Sequence, residues 1–372
     1  MLVQSVYCMV VKDKVNQYKL PVGGGYVRLS PSRPVLFCIG FMCMMSIAID
    51  SAPASNHPSR PVQRQTQNVS QADLQTLYQK AATLHHIPWT LLAAVDRYAE
   101  LTKSKSAKKS SPAYGLAFDP YAWAGLGNPN FNDINPETIS LFGGLGKDGD
   151  GDGFALPTDQ ADRVITLAAW MDDESPEEDY ETAVWTLTQD PIAMDRIFAF
   201  NRLFEAYGLS AVAHSFPIAM RYNYTVKHTF GAGRSFGGRR IHEGVDIFAG
   251  YGTPVLACSY GYVELIGWNR FGGWRVGIRD ANNMYYYYAH LSSYVKGLRQ
   301  GELVRPGQVI GYVGSTGYGP PGTSGKFPPH LHFGMYKDTG RHEWAISPSS
   351  YLQQWQRQKQ TIIYPQKTSQ LP

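Results

Sequence analysis

KFPPHLHFGMYKD (326–338) decides how the second half of this chain is read. Behind two prolines, a run of strand formers carries His330 and His332 with one residue between them, so both imidazoles project from the same face of a strand. The flanks agree with that reading. VLACSYGYVELIGW, WRVGIRD, MYYYYAHL and QVIGYVG are short apolar runs broken by Gly, Pro and Asn, and Asp280-Ala281-Asn282-Asn283 suits a hairpin turn. Short strands at close spacing predict an antiparallel all-β domain over 216–352, with 353–372 as a tail. On the strand that holds the tyrosine run, period two puts Tyr286, Tyr288 and His290 on one face and Tyr285 and Tyr287 on the other.

Upstream the period changes. Ser70 and Asp73 have capping-box spacing, and Leu74, Leu77, Tyr78, Ala81 and Leu84 recur at helical intervals. Pro88 opens a second helix through WTLLAAVDRYAEL, and Thr158 starts a third with Val164, Leu167, Ala168 and Met171 on one face. Ser175-Pro176-Glu177-Glu178 and Asp190-Pro191 are cap-plus-proline starts, the latter beginning a helix that stops at Gly208. Residues 70–212 therefore form an all-α domain, and the fold class is α+β. No internal repeat accompanies either half.

The chain has 372 residues and a formal charge of +4. Five basic and two acidic side chains fall in 1–54, which leaves 29 basic against 28 acidic residues for the rest. That balance gives no phosphate-binding footprint, so no nucleic-acid partner is expected. Val35–Ile49 is an uncharged, mostly apolar run of 15 residues behind a basic segment, followed by Ala52-Pro53-Ala54. It reads as a cleaved export signal over 1–54, being short of the roughly 20 residues that cross a bilayer, with a retained membrane anchor as the alternative. Residues 55–69 are a Ser/Pro/Gln/Asn-rich tether. Cys258 is the one cysteine beyond the leader, so a metal site in the exported body must be built from His and carboxylate. A monomer acting outside the cytoplasm is expected.

RRIHEGVDIFAGYGTPV (239–255) supplies that chemistry. His242 and Asp246 are four apart, an even spacing that aims both to one side of an extended segment. One imidazole and one carboxylate make two-thirds of a catalytic zinc site; His332 is the natural third ligand, leaving one tetrahedral corner to solvent. His330 and His290 of AHL then stand beside it as groups that can move a proton or stabilise an oxyanion.

H-x-x-x-D, A-H-L and H-L-H-F-G, set among GTPV, VRPGQVIGYVGSTG and PPHLHFGM, resemble the lysostaphin-type zinc metallopeptidases over about 230–350. The resemblance implies zinc ligands His242, Asp246 and His332, a catalytic pair His290 and His330, and peptidoglycan peptides as substrate. NPETISLFGGLGKDGDGDG, GAGRSFGGRRIHEG, GWNRFGGWRVGIRD and STGYGPPGTSGKFPPHLHFGMYKDTG are similar to the sporulation endopeptidases of bacilli. Those enzymes cut the L-Ala–D-Glu bond of stem peptides in spore cortex, which is the expected reaction. A D,D-endopeptidase on wall cross-links and a noncatalytic wall-binding scaffold or hydrolase activator are the alternatives. The loop GYGPPGTSGK (317–326) is expected to wall the substrate groove.

KDGDGDGFALPTD fits a calcium-loop template, with Asp148, Asp150 and Asp152 at positions 1, 3 and 5, the Phe154 carbonyl at 7 and Asp159 at 12. Calcium is the expected ion and magnesium the alternative; an Asp/Gly turn that binds nothing would look the same. The helical domain also resembles soluble lytic transglycosylases through IPWTLLAAVDRYAEL. There, however, Ala99 stands where the catalytic glutamate falls and Glu100 comes one residue late, about 100 degrees around the helix. A glycan-holding or spacer role is expected of it. His85, His86, His214, His228 and His342 match no ligand pattern.

Overall fold

The computed structural model describes residues 71–102, 118, 120–175, 178–235, 239–340 and 342–364. The leader, the tether, Ser70, Pro176, Glu177 and the last eight residues of the tail lie outside them. Helices come first: α1 (Gln71–His85), α2 (Trp89–Thr102), α3 (Pro120–Ala124), α4 (Pro136–Leu141), α5 (Gln160–Asp173), α6 (Tyr180–Thr188) and α7 (Pro191–Tyr207). Their apolar stripes close on one core in which Leu92, Val164, Leu167, Met171, Ile197 and Phe200 are fully enclosed.

The start of α7 is the predicted one. Asp190 Oδ1 accepts the N–H groups of Ile192 and Ala193, and Pro191 occupies the first turn, where a missing N–H costs nothing. The start of α6 is corrected. Asp179, not Ser175, is its cap, with Oδ1 accepting Thr182 N–H at 3.2 Å, because a carboxylate beside the helix mouth outcompetes a hydroxyl five residues away from it.

Strands follow: β1 (Tyr224–Lys227), β2 (Gly233–Arg234), β3 (Arg240–Ile241), β4 (Val245–Ala249), β5 (Pro254–Leu256), β6 (Gly261–Asn269), β7 (Gly273–Arg279), β8 (Met284–Tyr294), β9 (Leu303–Val304), β10 (Val309–Val313), β11 (His330–Asp338) and β12 (Glu343–Ile346), then α8 (Ser349–Gln356). Among the described residues ten of these make one antiparallel sheet with the path β1-β4-β11-β8-β7-β6-β9, while β2 and β3 form a separate ribbon. The inward alternation of β4 and β11 (Val245, Ile247, Leu331, Phe333) fills the core beneath the sheet. The predicted turn forms, with Asp280 accepting the Asn282 and Met284 N–H groups and Asn283 at φ +58°.

Of the segment expected as a tail, residues 353–364 continue the fold. Trp355 packs in the sheet core and Ile363 bridges Gln308. Both halves belong to one compact unit. Tyr262 of β6 enters the helical core, and Arg196 of α7 pairs with Asp338 of β11 at 2.7 Å, both side chains nearly sealed from solvent.

Candidate active site

Strand pairing builds the first half of the site. In the β4–β11 register His332 stands directly opposite Asp246. The third group arrives from the residue just after β3, where the N–H and carbonyl of His242 are pinned to Ala232 and Gly231 at 2.9 Å each. His242 Nε2 then lies 2.9 Å from His332 Nδ1 and 3.1 Å from Asp246 Oδ1, and His332 Nδ1 lies 3.2 Å from the same oxygen.

Proton bookkeeping decides what such a cluster can hold. His242 Nδ1 faces the Thr229 carbonyl at 3.0 Å, an atom that only accepts, so this nitrogen carries the proton and Nε2 presents a lone pair. Two ring nitrogens and a carboxylate oxygen thus converge on one point. Their spacing is close to the edge of about 3.3 Å expected for ligands at zinc bond lengths of about 2.0–2.1 Å. The donor set fits zinc. Burial alone would raise the Asp246 carboxyl, but the imidazoles beside it hold it far below the carboxylate range, and Arg234 pairs with its other oxygen. Burial lowers His332, which favours the neutral imidazole a metal needs. Gly244 lets the His332 ring lie flat, since a Cβ there would stand 2.6 Å from its Cε1.

The second half of the site depends on a bulge. Trp274 pairs with Leu291 and Val276 with Tyr288, so Ala289 and His290 together oppose Arg275 alone. His290 takes φ +64°, and the strict alternation expected for the tyrosine run fails at this point. Tyr286 and Tyr288 point into the core as that alternation requires, whereas His290 turns out to the cleft beside Tyr287. Its N–H donates to Gly272 O and its Nδ1 to Thr316 O, both at 2.7 Å. His330 is fixed the same way, Nδ1 donating to Pro328 O at 2.8 Å. Each ring therefore offers Nε2. Burial pushes the His290 pKa well down, with His330 and His332 adding to it, and burial also lowers His330. The two rings are 4.8 Å apart between centroids, and His330 Nε2 is 3.7 Å from Asp246 Oδ1.

These groups open into a cleft of about 370 Å³. Tyr318, Lys326 and Phe327 form one wall, as expected of the 317–326 loop and its junction with β11, and Phe271, Tyr287 and Tyr336 form others. Sequence reading passed over Arg234 and Arg240, which also line it. Arg240 lies two residues before His242, the same period-two spacing that singled out the histidines.

The acidic loop departs from its template. Asp148 and Asp150 gather with Asp162, which was not among the expected ligands, while Asp152 and Asp159 do not join them. Asp159 Oδ1 instead accepts the N–H groups of Ala161 and Asp162 as the cap of α5, and Asp152 turns to the N–H of Phe154. A carboxylate at a helix mouth satisfies orphan donors before it can serve a distant ion. Asp162 is buried, which pushes it up to about 7 against the pull of N–H donors from Gly149 and Leu156. In the helical domain Ala99 is sealed in the core and Glu100 sits at the surface with Arg163 at 3.2 Å, so no acid occupies the transglycosylase position. His214 stacks on Trp355 and His228 bonds Ser349, both away from the cleft.

The sequence of this site has relatives. Residues 240–346 match the model of peptidase family M23. The L-Ala–D-Glu endopeptidase of Bacillus subtilis is 47% identical over 285 residues, 76% of this chain and 87% of that protein. Lysostaphin of Staphylococcus staphylolyticus is 37% identical over 114 residues, 30% of this chain and 22% of its own. The solved catalytic domain of lysostaphin from Staphylococcus simulans aligns over 38% of this chain and 98% of its own, at 32% identity and a TM-score of 0.30. The chain is an enzyme, a zinc metallopeptidase belonging to peptidase family M23.

Proposed function

We propose that this enzyme cleaves the L-Ala–D-Glu bond of peptidoglycan stem peptides, outside the cytoplasm and in spore cortex. Zinc is held by His242 Nε2, Asp246 Oδ1 and His332 Nδ1, with His290 and His330 as the catalytic pair. The observation that carries the reading is the convergence of those three acceptor atoms within about 3 Å of one another beneath two neutral imidazoles. The extent of likeness to the B. subtilis endopeptidase, which runs through the helical half as well, supports the choice of bond.

Zinc in this position supplies Lewis acidity to water and to the scissile carbonyl. The chain's own residues do the rest. Arg234, paired with its other oxygen, keeps Asp246 ionised, so the carboxylate remains a ligand. His290, its Nδ1 proton tied to Thr316, presents Nε2 to take a proton from attacking water. His330, tied to Pro328 in the same way, stands beside it at 4.8 Å between ring centroids and offers a second Nε2 acceptor, and the proton that His290 takes from water is the one passed on to the leaving amine. Aromatic walls limit solvent around both. The helical domain holds or spaces the glycan strand without cutting it, since a buried alanine stands at position 99 where a lyase would need an acid.

Mass spectrometry of purified peptidoglycan after digestion tests the bond: new C-terminal alanine and N-terminal glutamate are expected. His242→Ala loses zinc and turnover together, whereas His290→Ala keeps zinc and loses turnover by about 100-fold or more, the usual contribution of a positioned acid–base group. Zinc loss in His290→Ala would remove it from the catalytic pair.

A further inference from the structure

A glutamyl residue acylated on nitrogen by alanine and linked onward through one carboxyl still carries the other. A cleft that cuts L-Ala–D-Glu must therefore accept a carboxylate on the leaving-amine side of the attacked bond. Glu243 and Asp246 line this cleft, so an unaccompanied anion would be repelled. Three cations line it as well, and they are held differently. Arg234 is engaged with Asp246. Lys326 lies on the exposed rim, its ammonium donating to Tyr318 O at 2.7 Å.

Arg240 is half-buried, and its guanidinium carbon lies 5.1 Å from the ring centroids of both Phe271 and Tyr318. Nη2 donates to the Tyr318 hydroxyl. Two aromatic rings hold the planar group in one place, so little rotamer freedom remains to be lost when an anion binds. The same walls carry the catalytic imidazole. Tyr318 stacks on His290 with 6.1 Å between centroids and 19° between planes, and the carbonyl of Gly272, next after Phe271, accepts the His290 N–H. Guanidinium and imidazole are thus mounted on shared supports at a set separation. A guanidinium fork has five donors, so the bond to Tyr318 and a bidentate carboxylate are compatible.

Resting on the L-Ala–D-Glu reading above, we infer that Arg240 is the specificity residue of this cleft and receives the free carboxylate of the D-Glu residue. Peptides in which that carboxylate is a primary amide are then poor substrates. The test uses the zinc-loaded full chain and two synthetic stem peptides that differ only in acid or amide at that position. The wild type is expected to cut the acid with kcat/KM about 10–100-fold above the amide, mostly through KM, as for a charge-assisted hydrogen bond. Arg240→Gln brings that ratio to about 1. Arg240→Lys, with charge but no planar fork, falls between.

Equal wild-type rates on acid and amide, or an unchanged ratio in Arg240→Gln, overturn the role of Arg240 while the bond assignment stands. Product masses that place the cut at another bond overturn both. If Arg240→Gln does not fold, the wild-type ratio and Arg240→Lys still decide the matter.

Discussion

Gly244 lies between His242 and Asp246, and replacing it by alanine should dismantle the metal centre without touching any ligand. An added Cβ would stand 2.6 Å from His332 Cε1, 2.8 Å from its Nε2 and 2.7 Å from the carbonyl oxygen of Phe333. Non-bonded carbons settle at about 3.5–4.0 Å, so the ring must retreat by about 1 Å. It has little room to do so, with Tyr287 packed edge-on at 5.9 Å and His290 at 6.0 Å. The Phe333 contact is worse, being backbone: β11 itself would have to move away from β4. His332 Nδ1 then leaves its 2.9 and 3.2 Å positions against His242 and Asp246. A misplacement of about 1 Å costs roughly 100-fold in rate, and disturbed support of a ligand costs about 10–100-fold in metal affinity. Overpacking should remove about 1–3 kcal/mol of stability besides. Competition with a chromophoric chelator reads the zinc affinity, peptide turnover reads kcat/KM, and thermal melting reads the fold. Gly250→Ala is the control, because its Cβ meets only Thr253 Oγ1 at 3.7 Å. If Gly244→Ala binds zinc and turns over within about threefold of that control, the steric account of the His332 seat is wrong.

Thr316→Val removes the hydroxyl that donates to Leu291 O at 2.7 Å and accepts the Trp274 N–H at 3.1 Å, which together clamp the bulge under His290. The expected result is a drop of about tenfold in kcat with zinc content unchanged, as the two lost hydrogen bonds loosen the bulge; unchanged kcat would show that it is held elsewhere. Asp338→Asn leaves Arg196 facing a neutral partner in a nearly sealed site and should cost about 3 kcal/mol in urea unfolding, where a loss below about 0.5 kcal/mol would mark the pair as dispensable. Asp162 gives a pH signature. Its folded pKa is raised to about 7, so its stabilising contribution is complete at acid pH, below the ordinary carboxyl range, and declines as pH rises to about 7. Asp162→Asn abolishes that loss, so its stability deficit against the wild type should shrink between pH 4 and 8, by about 4 kcal/mol at most. A deficit that grows over the same interval means the carboxylate is ionised in the fold.

What could be read from sequence alone was the chemistry that resides in a single side chain at a fixed spacing. H-x-x-x-D and H-x-H translate directly into the observed row of donors, because strand alternation and one register place His332 across from Asp246. The strand boundaries and the helices starting at Asp190-Pro191 and after Pro88 follow from equally local rules. Readings that failed did so where two rules competed for one residue. Asp159 fits both position 12 of an ion loop and a helix cap, and two unsatisfied N–H groups adjacent to it decide in favour of the cap. The packing of Trp355 in the sheet core and the bridge of Ile363 to Gln308 were hidden because their partners are long-range in sequence.

His290 shows most clearly why period-two reasoning stops short of a mechanism. Alternation would have buried it with Tyr286 and Tyr288, and only an extra residue in β8 returns it to the cleft. That bulge needs a left-handed φ at a residue with a Cβ, a conformation that costs of order 1 kcal/mol or more. The cost is offset by partners outside the strand: the Gly272 carbonyl on its N–H, the Thr316 carbonyl on its Nδ1 and the Thr316 hydroxyl on the next carbonyl along. Gly273, at φ +65° and with no room for a Cβ against Thr316, allows the loop to approach that closely. The VGSTG and FGGW stretches, which look like ordinary turns, are therefore the mould in which the His290 imidazole is set. Those three hydrogen bonds hold His290 in its strained conformation and keep its ring beside His330 and His332 before any substrate arrives.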